Sequence, residues 1–239
     1  MQYMDTWPTG NIAQAEITQG RFAIVIDILR ASTTIATALA HGALCVTPCA
    51  EIADARAYKQ AHPDALLGGE RKAVVIEGFD LGNSPLEYTP QRVRNRRIAM
   101  STTNGTRALR AADRAKVVCV GCFANADAVI RLAKASGLDI AIVCAGTRGR
   151  FSLEDVLCAG LFVEALAKPD TVLCDFSIAA RALYRLHQDH LQDAVASTKH
   201  GRTLQQAGFA YDIPPCAACN TLDVVPVMQQ DGALYAVRP

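Results

Sequence analysis

The sequence predicts an α/β fold: a mainly parallel sheet, mixed at one edge, with helices on both faces. Three observations predict it. Apolar strand-like runs alternate with helical patterns through about residue 170. Three of those runs, Ala23–Ile28, Ile98–Met100 and Ile140–Cys144, lead through hydroxyl residues and Arg, two of them also through Gly, into a helical pattern. Near the C-terminus, Asp231-Gly232 lies between two alternating apolar runs, which signals a hairpin.

Taken in order, the first strand covers 22–28 and feeds a helix over 32–41. A strand over 43–47 and a helix over 51–61 follow, then a strand over 65–68. Gly68–Pro85 is the longest irregular stretch, and its glycines and charges (Glu70, Arg71, Glu77, Asp80) mark a functional loop. Ser84-Pro85-Leu86-Glu87 reads as a capping box with Pro at the first helical position. Next come a strand over 97–101, a helix over 104–112 and a strand over 116–120. A helix over 125–136 has Asn125 as its N-cap and Gly137 as its stop. A strand over 139–144 and a helix over 153–167 complete the alternation. Residues 171–208 read as a helical subregion broken at His200-Gly201. Asp223–Met228 and Ala233–Val237 form the hairpin. Residues 24–32 and 142–152 share a loose strand–Arg–Ser pattern that is no repeat. The whole chain, 1–239, reads as a single domain.

Half the chain is hydrophobic and a fifth charged, the balance of a globular protein with a sizeable core. The net charge of +1 argues against a nucleic-acid surface. No apolar run reaches the ~20 residues of a membrane helix. Met1–Gly10 is polar and lacks the basic and apolar regions of a signal peptide. A cytoplasmic protein is expected, contacting neither nucleic acid nor membrane; a homo-oligomer is left open. The nine cysteines then need form no disulfides. Cys45, Cys119, Cys144 and Cys158 lie within apolar patterns, where Cys serves as a small hydrophobe.

The chemistry gathers at the three junctions. Helix starts offer free N–H groups and partial positive charge, and ligands of open α/β sheets sit at the carboxyl ends of strands. Together the junctions suggest one site for a multiply charged anion. Asp27 is out of place in Ile24-Val25-Ile26-Asp27-Ile28, because an ionised Asp is rarely buried without a metal or an Arg. Arg30 follows three residues on, so an Asp27–Arg30 pair competes with a metal or phosphate site. Ser101–Arg107 supplies small residues that let a phosphate reach the backbone, with Thr103 or Asn104 as the cap. In Gly146–Asp155, Arg148 and Arg150 can fork onto anionic oxygens. Ser152-Leu153-Glu154-Asp155 is a capping box with Asp in place of Glu, so Asp155 has a helix-start explanation and a metal role for Glu154 and Asp155 stands beside it.

Other readings compete. Cys144 and Arg150 have the C-x5-R spacing of cysteine-dependent phosphatases, although Phe151 stands where those enzymes have a hydroxyl. A non-enzymatic small-anion binding protein could be built on the same junctions. Cys119/Cys122 and Cys216/Cys219, with His190 and His200, could on paper bind zinc. The expectation is that they do not: Cys216 and Cys219 follow Pro214-Pro215 in a turn, as packing or spare thiols, and Asp223 supports the site from behind. There is no G-x-x-x-x-G-K-[ST] loop, which argues against ATP use. Leu29 replaces the second Asp of a D-x-D motif.

Six ordered segments resemble the 2-phosphosulfolactate phosphatase (ComB-like) family from about residue 20 to the C-terminus. They are Val25–Thr34 (VIDILRASTT), Gly69-Glu70-Arg71, Gly78–Pro85 (GFDLGNSP), Thr102–Thr106 (TTNGT), Ala145-Gly146-Thr147 with Glu154-Asp155, and His200-Gly201 with Asp223–Pro226 (DVVP). Lys72-Ala73 follows the second segment where more glycine is expected. The resemblance implies a three-layer α/β/α phosphatase domain. It also implies a Mg²⁺-dependent hydrolase that converts 2-phospho-3-sulfolactate, or a related small phosphorylated acid, to 3-sulfolactate and phosphate, in the pathway to coenzyme M. The expected assignments are Asp27 and Arg30 as catalytic groups. Ser32, Thr33, Thr103, Asn104, Gly105 and Arg148 would bind substrate. Asp27, Glu154 and Asp155 would hold Mg²⁺. An aspartyl-phosphate on Asp27 remains an alternative to metal ligation. His200 would cap a helix or close the site.

Overall fold

Each apolar run read as a strand is a strand in the computed structural model, which describes residues 1–10 and 15–239. In chain order the elements are β1 (Tyr3–Trp7), α1 (Ala15–Thr18), β2 (Phe22–Ile26), α2 (Ala31–Ala40), β3 (Cys45–Pro48), α3 (Ile52–Ala61), β4 (Leu66–Arg71) and β5 (Val74–Val75). Then come α4 (Pro90–Val93), β6 (Arg97–Ser101), α5 (Gly105–Ala111), β7 (Val117–Val120), α6 (Ala126–Ser136), β8 (Ile140–Cys144) and α7 (Leu153–Leu166). The last are β9 (Val172–Leu173), α8 (Asp175–His187), α9 (Leu191–Ser197), α10 (Lys199–Gln206), α11 (Ile213–Ala217), β10 (Val225–Met228) and β11 (Leu234–Val237).

Among the described residues the strands form one sheet, ordered β5-β4-β6-β3-β11-β10-β7-β2-β8-β1-β9. The central strands are buried on both faces, as strands of a covered parallel sheet must be. Along β2, Ile24 and Ile26 join one core with α6, α7 and the C-terminal helices. Ala23 and Val25 join a second core with α2 and α5. The period-two alternation therefore feeds two helical layers, giving α/β/α.

The sheet is mostly parallel, but the hairpin expected at an edge lies in its middle. β10 pairs antiparallel with β7, and β11 antiparallel with β3. The antiparallel pair at the edge is β4–β5 instead. The hairpin thus joins two parallel blocks, β4-β6-β3 and β7-β2-β8-β1, that run opposite to each other. Sheet twist accumulates at about 20–25° per step, so five steps from β6 to β2 rotate one block roughly 100–125° against the other. The carboxyl ends of β6 and β2 can then meet. They do: a Cβ added to Gly105 would stand 3.2 Å from Asp27 Oδ2.

Several local expectations change. The polar N-terminal segment supplies β1, which pairs with β8 and β9. Asn125 occupies the N-cap of α6, yet its side chain caps nothing there. It accepts Cys122 N–H and donates to the carbonyls of Val120 and Val224, tying the end of β7 to the C-terminal segment. Gly137 ends α6 in the left-handed region, as expected. The break between α9 and α10 falls at Thr198 rather than His200-Gly201. Thr198 Oγ1 accepts Gly201 N–H and opens a new helix. A Cβ at Gly201 would meet the Val195 carbonyl at 2.2 Å, so glycine lets α10 turn back on α9. Pro214-Pro215 lie in the first turn of α11, where a missing N–H costs nothing, rather than in a loop. Asp223 is 74% exposed and pairs with Arg131 on the surface, so it does not support the site.

Candidate active site

The site forms around Asp27, the residue after β2. Its N–H donates to Ser32 Oγ (2.8 Å) and its carbonyl accepts Ser32 N–H (2.8 Å). This tight turn directs the chain from β2 into α2. The Asp27 carboxylate makes no ion pair among the described residues. Burial pushes its pKa up to about 6, opposed by the charge of His200 and assisted by those of Glu70 and Glu154. The Asp27–Arg30 pair that competed with a metal or phosphate site does not form; Arg30 pairs with Asp212 instead.

Glu154 and Asp155 open α7 behind Asp27, and both are buried. The expected capping box is absent, because Ser152 Oγ bonds to Thr147 Oγ1 (2.7 Å). Asp155 clamps two strand ends instead. Its Oδ1 accepts Ile28 N–H (2.9 Å) beyond β2, and its Oδ2 accepts Gly146 N–H (2.9 Å) beyond β8. With both oxygens committed to the backbone, Asp155 serves as a clamp and is a poor metal ligand. Burial, then the charges of Glu154 and Asp27, hold its pKa well above the usual carboxylate range. Glu154 Oε1 receives His200 Nδ1 at 3.2 Å. Burial lowers the His200 pKa, but the bond and charge of Glu154, with that of Asp27, raise it overall.

From the other block, the β4–β5 hairpin carries Glu70. Its Oε1 accepts Thr103 N–H (3.2 Å) and Oγ1 (2.9 Å), and its Oε2 accepts Ala73 N–H (2.8 Å). Arg71 bonds to Ser101 Oγ (3.0 Å). Gly69 lies where a Cβ would strike the Ser101 carbonyl at 2.0 Å, so only glycine lets β4 approach β6 this closely. Asn104 holds the N-cap position of α5 without capping it, and its Oδ1 accepts Arg148 N–H (3.3 Å), joining the loops after β6 and β8. Arg148 is exposed, and its guanidinium makes no bond among the described residues. A crevice lined by Asp27, Ser32, Thr102 and Gly105 runs between the blocks.

Of the expected residues, Asp27, Ser32 and Gly105 line the crevice, while Thr103, Asn104, Arg148, Glu154 and Asp155 lie on the loops and helix starts around it. Two expected residues do not join them. Thr33 lies on another face of α2, lining a separate cavity of about 250 Å³ with Thr37, four residues on. Arg30 is 2% exposed, and its guanidinium is bound to Asp212 and the Ala73 carbonyl and stacked on Phe209, so it does not face the crevice. Ser84, expected to cap a helix, also spends its hydroxyl on Asp212. Asp212 carried no sequence signal. Glu70 was legible as one of the loop charges and within Gly69-Glu70-Arg71, with no role assigned to it.

The C-x5-R alternative does not fit. Cys144 is fully buried within β8, out of reach of a substrate, and burial with the charges of Asp155 and Glu154 raises its thiol pKa. For a metal, the available donors are hard oxygens, Asp27 and Glu154, since both oxygens of Glu70, like those of Asp155, already accept protein donors. That chemistry suits Mg²⁺, which keeps several waters and needs only one or two carboxylates. Among the described residues no three side chains converge into a ready-made metal cage.

A doubly wound sheet with carboxylates and hydroxyls gathered at its strand ends defines an α/β protein with a small-molecule site. The sequence profile described as 2-phosphosulpholactate phosphatase matches residues 9–231. A protein of Symbiobacterium thermophilum named as a probable 2-phosphosulfolactate phosphatase is 46% identical over 92% of this chain and 96% of its own length. Proteins so named from Caldanaerobacter subterraneus (40% identical, 95% of each chain) and Synechococcus sp. JA-3-3Ab (41%, 89% and 90%) are also similar. The chain belongs to the 2-phosphosulfolactate phosphatase family.

Proposed function

We propose that this protein is a Mg²⁺-dependent phosphatase that hydrolyses 2-phospho-3-sulfolactate to 3-sulfolactate and phosphate. The observation that carries the reading is the Asp27 carboxylate, which makes no ion pair among the described residues and stands at the end of β2 beside Gly105, within charge range of Glu154. A phosphate, a sulfonate and a carboxylate on one small substrate suit a site bordered by the start of α5 and by the loop that carries the exposed Arg148, whose guanidinium makes no bond among the described residues. Asp27 and Glu154 would hold the metal, with His200 orienting Glu154 and Asp155 fixing the loops on either side. When bound, the metal would neutralise phosphoryl charge and lower the pKa of a bound water. Thr103 and Ala73 hold the Glu70 carboxylate, and Asn104 joins the Arg148 loop to the start of α5.

The test is phosphate release from 2-phospho-3-sulfolactate by purified protein. Activity should vanish with EDTA, return with Mg²⁺, and survive both iodoacetate and Cys144→Ser. Saturable binding by calorimetry with no phosphate released would make the protein an anion binder and overturn the reading. Activity that resists EDTA but dies with iodoacetate would restore the thiolate alternative.

A further inference from the structure

Arg30 and Asp27 stand three residues apart in one turn and do not pair. The partner that takes Arg30 comes from the far end of the chain. Asp212 closes a short 3-10 turn, Ala210–Asp212, and is completely buried. Its Oδ2 accepts Arg30 Nη1 at 2.5 Å and its Oδ1 accepts Ser84 Oγ at 2.5 Å. Phe209 lies under the guanidinium, 4.4 Å from its carbon. Arg30 Nη2 reaches the Ala73 carbonyl at 3.3 Å. Ala73 and the segment 209–212 therefore meet on one side chain of the β2–α2 turn, and Ser84 braces them through Asp212.

This arrangement has a consequence for the site. A buried guanidinium must have an anionic partner, because an unpaired buried charge is costly. If Asp212 did not supply one, the next carboxylate in the same turn would be Asp27. An Asp27 bound to Arg30 would have its charge neutralised and its oxygens occupied. Ser84 fixes the orientation of Asp212, and Phe209 closes the opposite face of Arg30. We propose that Asp212 is a positioning residue that withholds Arg30 from Asp27 and so keeps the Asp27 carboxylate free for its work at the crevice. The kinetic part of this proposal rests on the phosphatase reading above.

The variants are Asp212→Asn, Asp212→Glu, Ser84→Ala and the double variant Arg30→Met/Asp212→Leu. In Asp212→Asn, kcat should fall about 10²-fold, the scale expected when a reacting group is misplaced or occupied, while KM changes far less. Asp212→Glu should recover part of that loss. The double variant removes both charges and should regain at least about tenfold in kcat over Asp212→Asn, because no guanidinium remains to capture Asp27. If Asp212 were only structural, activity would follow melting temperature across the set, and that result overturns the proposal. So does a double variant that folds but stays as slow as Asp212→Asn. Should Asp212→Asn fail to fold, Ser84→Ala, which removes one bond to Asp212, should still lower kcat severalfold with KM little changed; wild-type kcat there overturns the proposal. A crystal structure of Asp212→Asn, or of Ser84→Ala in its place, needs no assay. Arg30 found on Asp27 supports the proposal, and Arg30 unmoved refutes it. Wild-type protein that releases no phosphate would refute the phosphatase reading while leaving this structural test intact.

Discussion

At the scale of single residues, the site is a contest between burial and charge. Asp27 has a folded pKa of about 6, raised by burial and by the charges of Glu70 and Glu154 against the pull of His200. An unfolded chain releases this proton near 3.8. Between those values the folded state holds more protons, so stability falls as pH rises from about 4 to 6, and the deficit persists above. Asp27→Asn should therefore abolish turnover yet be more stable than wild type at pH 8, with little difference at pH 3.5. Urea denaturation at the two pH values checks this; an equal difference at both would contradict it. His200 behaves in a complementary way. Its folded pKa is raised above 6.5 because Glu154 and Asp27 outweigh its burial. The stability it contributes is complete below 6.5 and is lost as pH rises through the raised value. His200→Gln should cost about 1.5–3 kcal/mol at pH 6, the range for a hydrogen bond to a charged group, and clearly less at pH 9. A cost independent of pH would mean the pair is not ionic.

At the scale of elements, the strands and helices from 22 to 166 were legible because both faces of the sheet are buried and the helical patterns between them are strongly periodic. Side-chain capping was less legible. Ser84 and Ser152 both begin capping-box patterns, but Asp212 claims the first hydroxyl and Thr147 the second. Those partners are distant or loop-borne, and local spacing cannot reveal them. The β4–β5 turn shows the reverse case. Lys72 and Ala73 both have positive φ, 54° and 66°, the conformation that glycine adopts at least cost. The glycine expected there is missing, but the backbone takes glycine's path anyway. Left-handed residues carry a cost of about 1–2 kcal/mol each. Ala73→Gly keeps the backbone bonds to Glu70 and Arg30 and should gain about 1 kcal/mol, less what the freer unfolded chain takes back. Equilibrium denaturation measures it, and a destabilised Ala73→Gly would show that the Ala73 methyl contributes packing that outweighs the strain.

At the scale of the whole molecule, the site exists because a coiled sheet brings two oppositely running blocks together. The junctions that face it were legible one by one, since each is a strand end followed by hydroxyls and a helix. Their assembly was not, because it depends on a C-terminal hairpin inserted between β3 and β7 and on α10 and the 209–212 turn returning to the β2 end. That assembly brings Glu70 and Glu154 within range to repel Asp27, with the charge of His200 opposing them. A dication bound there would relieve the repulsion in the folded state only. Ligands that bind the folded state stabilise it by RT ln(1 + [L]/Kd), so millimolar Mg²⁺ should raise the melting temperature. NaCl at matched ionic strength should not, since screening acts on exposed charges far more than on buried ones. Protons compete for the same oxygens, so the Mg²⁺ shift should be large at pH 8 and small at pH 5, below the pKa of Asp27. Asp27→Asn should remove the shift at both pH values. A shift that survives in Asp27→Asn, or one equal at pH 5 and pH 8, would locate the metal elsewhere and leave Asp27 to act as a base or a nucleophile.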